Sequence, residues 1–154
     1  MEALIIFDSV FGNTLKIAEA IVAGLGHVRA KVAYVKEIES MSAPLPDLIV
    51  VGSPTRQFRA TPAIMNFLKS LPSNSLKGVQ VAAFDTRIDL ETIDSKPLKY
   101  LVDHGGYAAN QIARKLKQRG GMLIRHPEGF LVNGEQGPLK EGEVDRAMNW
   151  LIQM

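Results

Sequence analysis

The chain reads as an α/β protein built on a doubly wound, five-stranded parallel sheet with strand order 2-1-3-4-5. Three observations predict this. Apolar runs at residues 3–7, 48–51 and 79–84 do not alternate with polar residues, as in strands buried on both faces. Segments with apolar residues at helical spacing stand between these runs, so strand and helix alternate along the chain. Two further strand-like stretches are more polar or interrupted, which places them at the sheet edges. That order puts the switch point between the first and third strands. Ligands bind there, at the carboxyl ends of the strands.

The first strand is predicted at residues 2–7, and a helix at 13–25 with Ile17, Ala18, Ile21, Val22 and Leu25 on one face. Gly24 and Gly26 stop it. Residues 29–35 alternate charged with small or apolar side chains and suit an edge strand. Residues 47–53 form a central strand ending in Gly52-Ser53. Thr61-Pro62 is an N-cap followed by proline at the first helical position. The helix it opens turns Ile64, Met65, Phe67, Leu68 and Leu71 toward a core. A turn at 72–78 leads to the strand 79–84, which ends at Asp85. Residues 86–105 are long for a loop in a compact domain, with a short helical turn expected around Leu98, Tyr100, Leu101 and Val102. A helix at 107–119 stops at Gly120-Gly121. The fifth strand starts at 122–125, is interrupted by Pro127-Glu128-Gly129 and resumes at 130–132, and proline suits an edge there. A last helix is expected at 141–153. Neither a repeat nor a linker divides residues 1–154, which read as a single domain.

Composition narrows the function. A chain of 154 residues, 46% hydrophobic, can bury a proper core. No apolar run reaches the roughly 18–20 residues of a membrane span, and Glu2 replaces the basic start of a signal peptide, so a cytoplasmic protein is expected. With no Cys, thiol catalysis, disulfides and thiolate metal sites are excluded. The net charge of +2 is too small to argue for nucleic acid. His27, His104 and His126 stand in separate loops without metal spacing.

The strongest chemical signal is the turn Ser9-Val10-Phe11-Gly12-Asn13-Thr14 between the first strand and first helix. A helix start has unpaired N–H groups and a partial positive charge, and so attracts phosphate. Ser9 and Thr14 add hydroxyl donors, and Gly12 permits close backbone approach. The plainer alternative is an ordinary capped turn in which Ser9 or Asn13 satisfies the helix donors. Two more segments reach the same end of the sheet: Ser53-Pro54-Thr55-Arg56-Gln57-Phe58, followed by Arg59, and Asp85-Thr86-Arg87-Ile88. Asp85 and Arg87 also suit a local ion pair, and Phe58 also suits packing on the following helix.

On these residues the chain resembles the flavodoxin family. That family carries a Ser/Thr-x-Thr-Gly-x-Thr turn holding the phosphate of FMN; here Phe11 stands in place of the middle threonine. The resemblance implies a flavodoxin-like fold and FMN as cofactor. Residues 9–14 would hold the phosphate and residues 53–58 and 85–88 the ring. It makes Phe58 the stacking candidate on one ring face, with Ile88, Tyr100 or Tyr107 for the other. The implied function is electron transfer to a redox partner. The pI of 8.9 and Arg56, Arg59 and Arg87 depart from the acidic surface usual in the family. They point to an acidic partner and a less negative reduction potential. Two alternatives stand beside this: a small flavin-dependent quinone or NAD(P)H reductase, and a module of the same fold that binds FMN weakly or not at all.

Overall fold

The structure is a computed structural model and describes residues 1–26, 28–38, 41, 44–89 and 107–152. The helical turn expected around Leu98–Val102, and any reach of Tyr100, lie outside these residues. The chain runs β1 (Glu2–Phe7), α1 (Asn13–Gly24), β2 (Arg29–Tyr34), a 3-10 turn (Val35–Glu37), β3 (Leu48–Pro54) and α2 (Pro62–Ser70). It continues through β4 (Gln80–Ile88), α3 (Ala108–Gln118), β5 (Met122–Leu123), β6 (Glu128–Val132) and α4 (Glu143–Trp150).

All strand pairs are parallel. The order β2-β1-β3-β4 is followed by a fifth position that two short segments fill end to end. β5 pairs with the start of β4 (Gln80 with Met122), and β6 with its far half (Phe84 with Glu128, Ile88 with Val132). The expected interruption is present and both halves belong to one edge, but it falls at 124–127: β5 stops at Leu123, and Glu128 and Gly129, expected in the break, belong to β6 because they pair with Phe84 and Asp85.

Alternation along the strands sorts their side chains onto two layers. Leu4, Ile6, Ile49, Val51, Val81 and Ala83 meet Ile64 and Leu68 of α2 and Ile112 and Leu116 of α3. Ile5, Phe7, Val50 and Phe84 meet Ile17 and Ile21 of α1 and Ala147 next to Leu151 at the end of α4. Two glycines set how closely these layers approach. A Cβ on Gly24 would stand 1.8 Å from the Met148 carbonyl oxygen, so α1 and α4 touch backbone to backbone. A Cβ on Gly52 would stand 2.0 Å from the Phe84 ring, which lies across it. That ring packs edge-on to Phe130 and Trp150, with centroids 6.1 and 6.2 Å away.

Further boundaries differ from expectation. β4 does not end at Asp85 but runs through Ile88, because β6 and the extended β3 supply backbone partners out to that point. β3 likewise includes Pro54. The last helix is shorter than expected, Glu143–Trp150, since Gly142 (φ 90°) breaks the backbone just before it and Leu151 has left helical geometry.

Candidate functional site

At the carboxyl ends of β1, β3 and β4 lies a cleft of about 260 Å³. Its walls come from the turn after β1 (Val10, Phe11, Asn13, Thr14), the end of β3 and the turn after it (Pro54, Thr55, Arg56, Gln57) and the end of β4 (Thr86, Arg87, Ile88). Val132 at the end of β6 and Glu135 in the following loop complete it. The sequence places Val132 only in the edge strand and does not single out Glu135. The register pairing Val132 with Ile88 brings them there, and no local signal carries that register.

The turn before α1 is held open. Gly12 (φ 92°) takes the cap position, and no side chain caps the helix. The Ser9 hydroxyl accepts from the Gly12 N–H at 3.1 Å, and the Asn13 amide donates to the Gln136 carbonyl at 3.1 Å. Ser9 thus closes the turn on Gly12 and Asn13 is committed to Gln136, so neither side chain caps the first helical N–H groups. Among the described residues, nothing accepts from the N–H groups of Val10, Phe11, Asn13, Thr14 or Leu15, while the next one, Lys16, bonds the Gly12 carbonyl. Thr14 is buried, and its hydroxyl shares a 2.8 Å hydrogen bond with that of Thr86, tying the turn to β4.

The second segment forms a two-residue reverse turn. Arg56 and Arg59 exchange both backbone hydrogen bonds, at 2.9 and 3.1 Å. Gln57 (φ 50°) and Phe58 (φ 68°) both occupy the left-handed region, a conformation glycine or asparagine usually takes and one that costs non-glycine residues about 1–3 kcal/mol each. α3 compensates: the Gln111 side chain donates to the Phe58 carbonyl and accepts from the Ala60 N–H, each at 2.9 Å. Phe58 is not among the cleft-lining residues, whereas Phe11 lines it with the Arg56 guanidinium 5.7 Å from its ring centroid. Ser53 is fully buried, and its hydroxyl receives the Thr61 N–H just ahead of α2.

The third segment contains a buried ion pair. Arg87 holds both Asp85 carboxylate oxygens, at 2.7 and 2.8 Å, and lies 3.4 Å from the Tyr107 ring centroid. Tyr107 is therefore engaged with Arg87. The Asp85 carboxylate also accepts from the Ala109 N–H at 2.9 Å, so a residue of β4 serves the first turn of α3, which has no side-chain cap of its own. Burial pushes the Asp85 carboxyl above its ordinary range, against the opposing pull of Arg87, Ala109 and Thr55. The ion pair considered from the sequence is present, and Arg87 reaches the cleft with its charge offset by Asp85.

A second network fixes the wall that β6 supplies. Burial tends to raise Glu143, but Arg146, the Leu131 N–H and Lys140 outweigh it and hold the carboxyl below its usual range. Arg146 also bonds Glu128 and the Gly129 carbonyl and lies over Phe130, 4.5 Å from the centroid.

A flavodoxin-domain family model matches residues 4–119, most of the chain including all three cleft segments. The chain belongs to the flavodoxin family. Among solved structures, it is similar to a flavodoxin from the domain Archaea (TM-score 0.74, 20% identity, covering 99% of this chain and 94% of that one). It is also similar to flavodoxin 1 from Bacillus cereus (TM-score 0.70, 18% identity, 97% and 94%). A third likeness is to the rubredoxin oxygen:oxidoreductase of Desulfovibrio gigas (TM-score 0.71, 16% identity), where 98% of this chain corresponds to 35% of the larger protein. At these identities the likeness is one of fold. No curated protein sequence matches the chain. Among the described residues, no helix is long and apolar enough to cross a membrane.

Proposed function

We propose that the protein is an FMN-binding electron carrier of the flavodoxin type, with the phosphate seated on the turn before α1 and the ring in the cleft beside it. The observation that carries this is the row of unpaired N–H groups at Val10, Phe11, Asn13, Thr14 and Leu15 around a positive-φ Gly12. Five donors left open at a helix start, with neither candidate side chain capping them, suit a phosphate monoester. The Ser9 and Thr14 hydroxyls stand in the same turn. FMN, when bound, supplies the redox chemistry; the protein supplies position and local charge. The ring would lie against the segments 53–58 and 85–88, whose cleft-lining side chains are Pro54, Thr55, Arg56, Gln57, Thr86, Arg87 and Ile88.

Titration with FMN, read by quenching of flavin fluorescence, tests the proposal. Saturable quenching at one equivalent is expected, with riboflavin, which lacks the phosphate, binding at least tenfold more weakly. Equal binding of the two flavins removes the role given to the turn, and no quenching by FMN removes the function. Gly12→Ala should weaken FMN binding about tenfold and cost about 1–2 kcal/mol of stability. No atom stands within 4 Å of the added methyl, so the cost is that of left-handed backbone alone.

A further inference from the structure

The charges of this chain are distributed unevenly along its sequence. Residues 48–84 and 107–127 contain nine of its 18 basic side chains and none of its 16 acidic ones. The remainder holds the other nine cations and every carboxylate. These two stretches carry α2 and α3, which pack on the same layer of the sheet, and Gln111 of α3 bonds Phe58 and Ala60 in the turn just ahead of α2. α1 and α4 cover the opposite layer. Arg59, Lys69, Lys77, Arg114 and Lys117 are exposed, and among the described residues no carboxylate lies within salt-bridge distance of any of them.

A groove of about 530 Å³ crosses this face. Arg56, Gln57 and Arg59 form its upper end, Met65 and Gln111 line it, and Lys69 closes its lower end. Arg56 and Gln57 belong also to the cleft, so groove and cleft meet at the same turn. Helix-dipole effects account for Lys69, Lys115 and Lys117 in the last turns of their helices. They do not account for Arg59, before α2, or Arg114, in the middle of α3.

We propose that this groove docks an acidic surface of a partner protein, with the Arg56–Arg59 turn bringing that partner against the cleft. The identification of the partner as a redox protein rests on the electron-carrier proposal; the docking itself rests on the charges. Unpaired cations on the α2–α3 face raise the positive potential beside the cleft edge and draw an anionic partner toward it during approach. A protein fits this surface better than nucleic acid does, since no aromatic side chain among the described residues lines the groove to stack a base.

Association is tested with three probes: an acidic two-iron ferredoxin, the basic cytochrome c, and a 20-nucleotide single-stranded DNA. Each is titrated against the protein with and without FMN, in calorimetry at 20 mM and 300 mM salt. The ferredoxin should bind more tightly than cytochrome c and lose about tenfold or more in affinity at the higher salt. Arg59→Glu with Lys69→Glu should reduce ferredoxin affinity at least tenfold. The milder Arg59→Gln with Lys69→Gln should reduce it partly, and Lys16→Glu on α1 should leave it within twofold; matching circular dichroism melts confirm that each variant is folded. Equal ferredoxin affinity in the double variants, a preference for cytochrome c, or tighter binding of DNA than of ferredoxin overturns the proposal. Binding of ferredoxin without any FMN uptake would leave the docking surface standing and remove the electron-carrier function.

Discussion

At the scale of single residues, the three arginines expected to enrich the ring end with positive charge divide into different roles. Arg87 is bound to Asp85 through both oxygens, so their charges largely cancel at a distance. Arg59 lines the neighbouring groove rather than the cleft. Arg56 lines the cleft, and its carboxylate partner among the described residues, Glu135, is 3.6 Å away and mostly exposed, where solvent weakens the pairing. Arg56→Gln in the FMN-loaded protein should therefore lower the reduction potential, by on the order of tens of millivolts in a redox titration. An unchanged potential would remove Arg56 from this role. Asp85 is visible by a different readout. Burial raises its folded-state pKa above the unfolded one, so between those two values the folded protein holds a proton that the unfolded chain has released. The stability this contributes is fully present below the unfolded pKa and is lost as pH rises through the folded value. In urea unfolding between pH 7 and 4, wild type should therefore gain stability relative to Asp85→Asn as the pH falls, by at most about 1.4 kcal/mol per pH unit. A constant difference across that range would contradict it.

At the scale of elements, contact between backbones overrides local preference. Gly24 lies in the last turn of α1, where alanine is the better helix former by about 1 kcal/mol. Its α-carbon nonetheless faces the Met148 carbonyl so closely that a methyl cannot fit without moving α4. Gly24→Ala should therefore destabilise the protein by about 1–3 kcal/mol in denaturant unfolding; a stabilised variant would show that helix propensity decides there. The extension of β4 follows the same logic. Residues 85–88 carry two charged side chains and little local strand signal, yet Gly129 lets the β6 backbone lie beside Arg87, whose guanidinium a Cβ at that position would meet at 2.0 Å. The Arg146–Glu143–Glu128 network then clamps β6, and with it Val132, at the cleft wall.

At the scale of the whole molecule, FMN bound at a site that exists only in the folded chain must stabilise the fold. Free FMN at about a hundred times its Kd should add about 2.7 kcal/mol, read as a raised melting midpoint, with riboflavin adding less at the same concentration. An unshifted melt would contradict binding at a folded site. The sequence by itself determined the layer architecture, the strand order and the three segments that converge at the cleft. Those properties follow from the period and burial of apolar runs and from turn residues that act locally. Only the tertiary structure decided which of the converging side chains face the cleft. Ser53 and Asp85 turned out to serve the first turns of α2 and α3, Phe11 rather than Phe58 lines the wall, and Val132 and Glu135 joined from a distant strand. Each of those outcomes depends on pairing register and on which buried donor most needs an acceptor. These are contacts between residues remote in sequence, and neither spacing nor residue type encodes them.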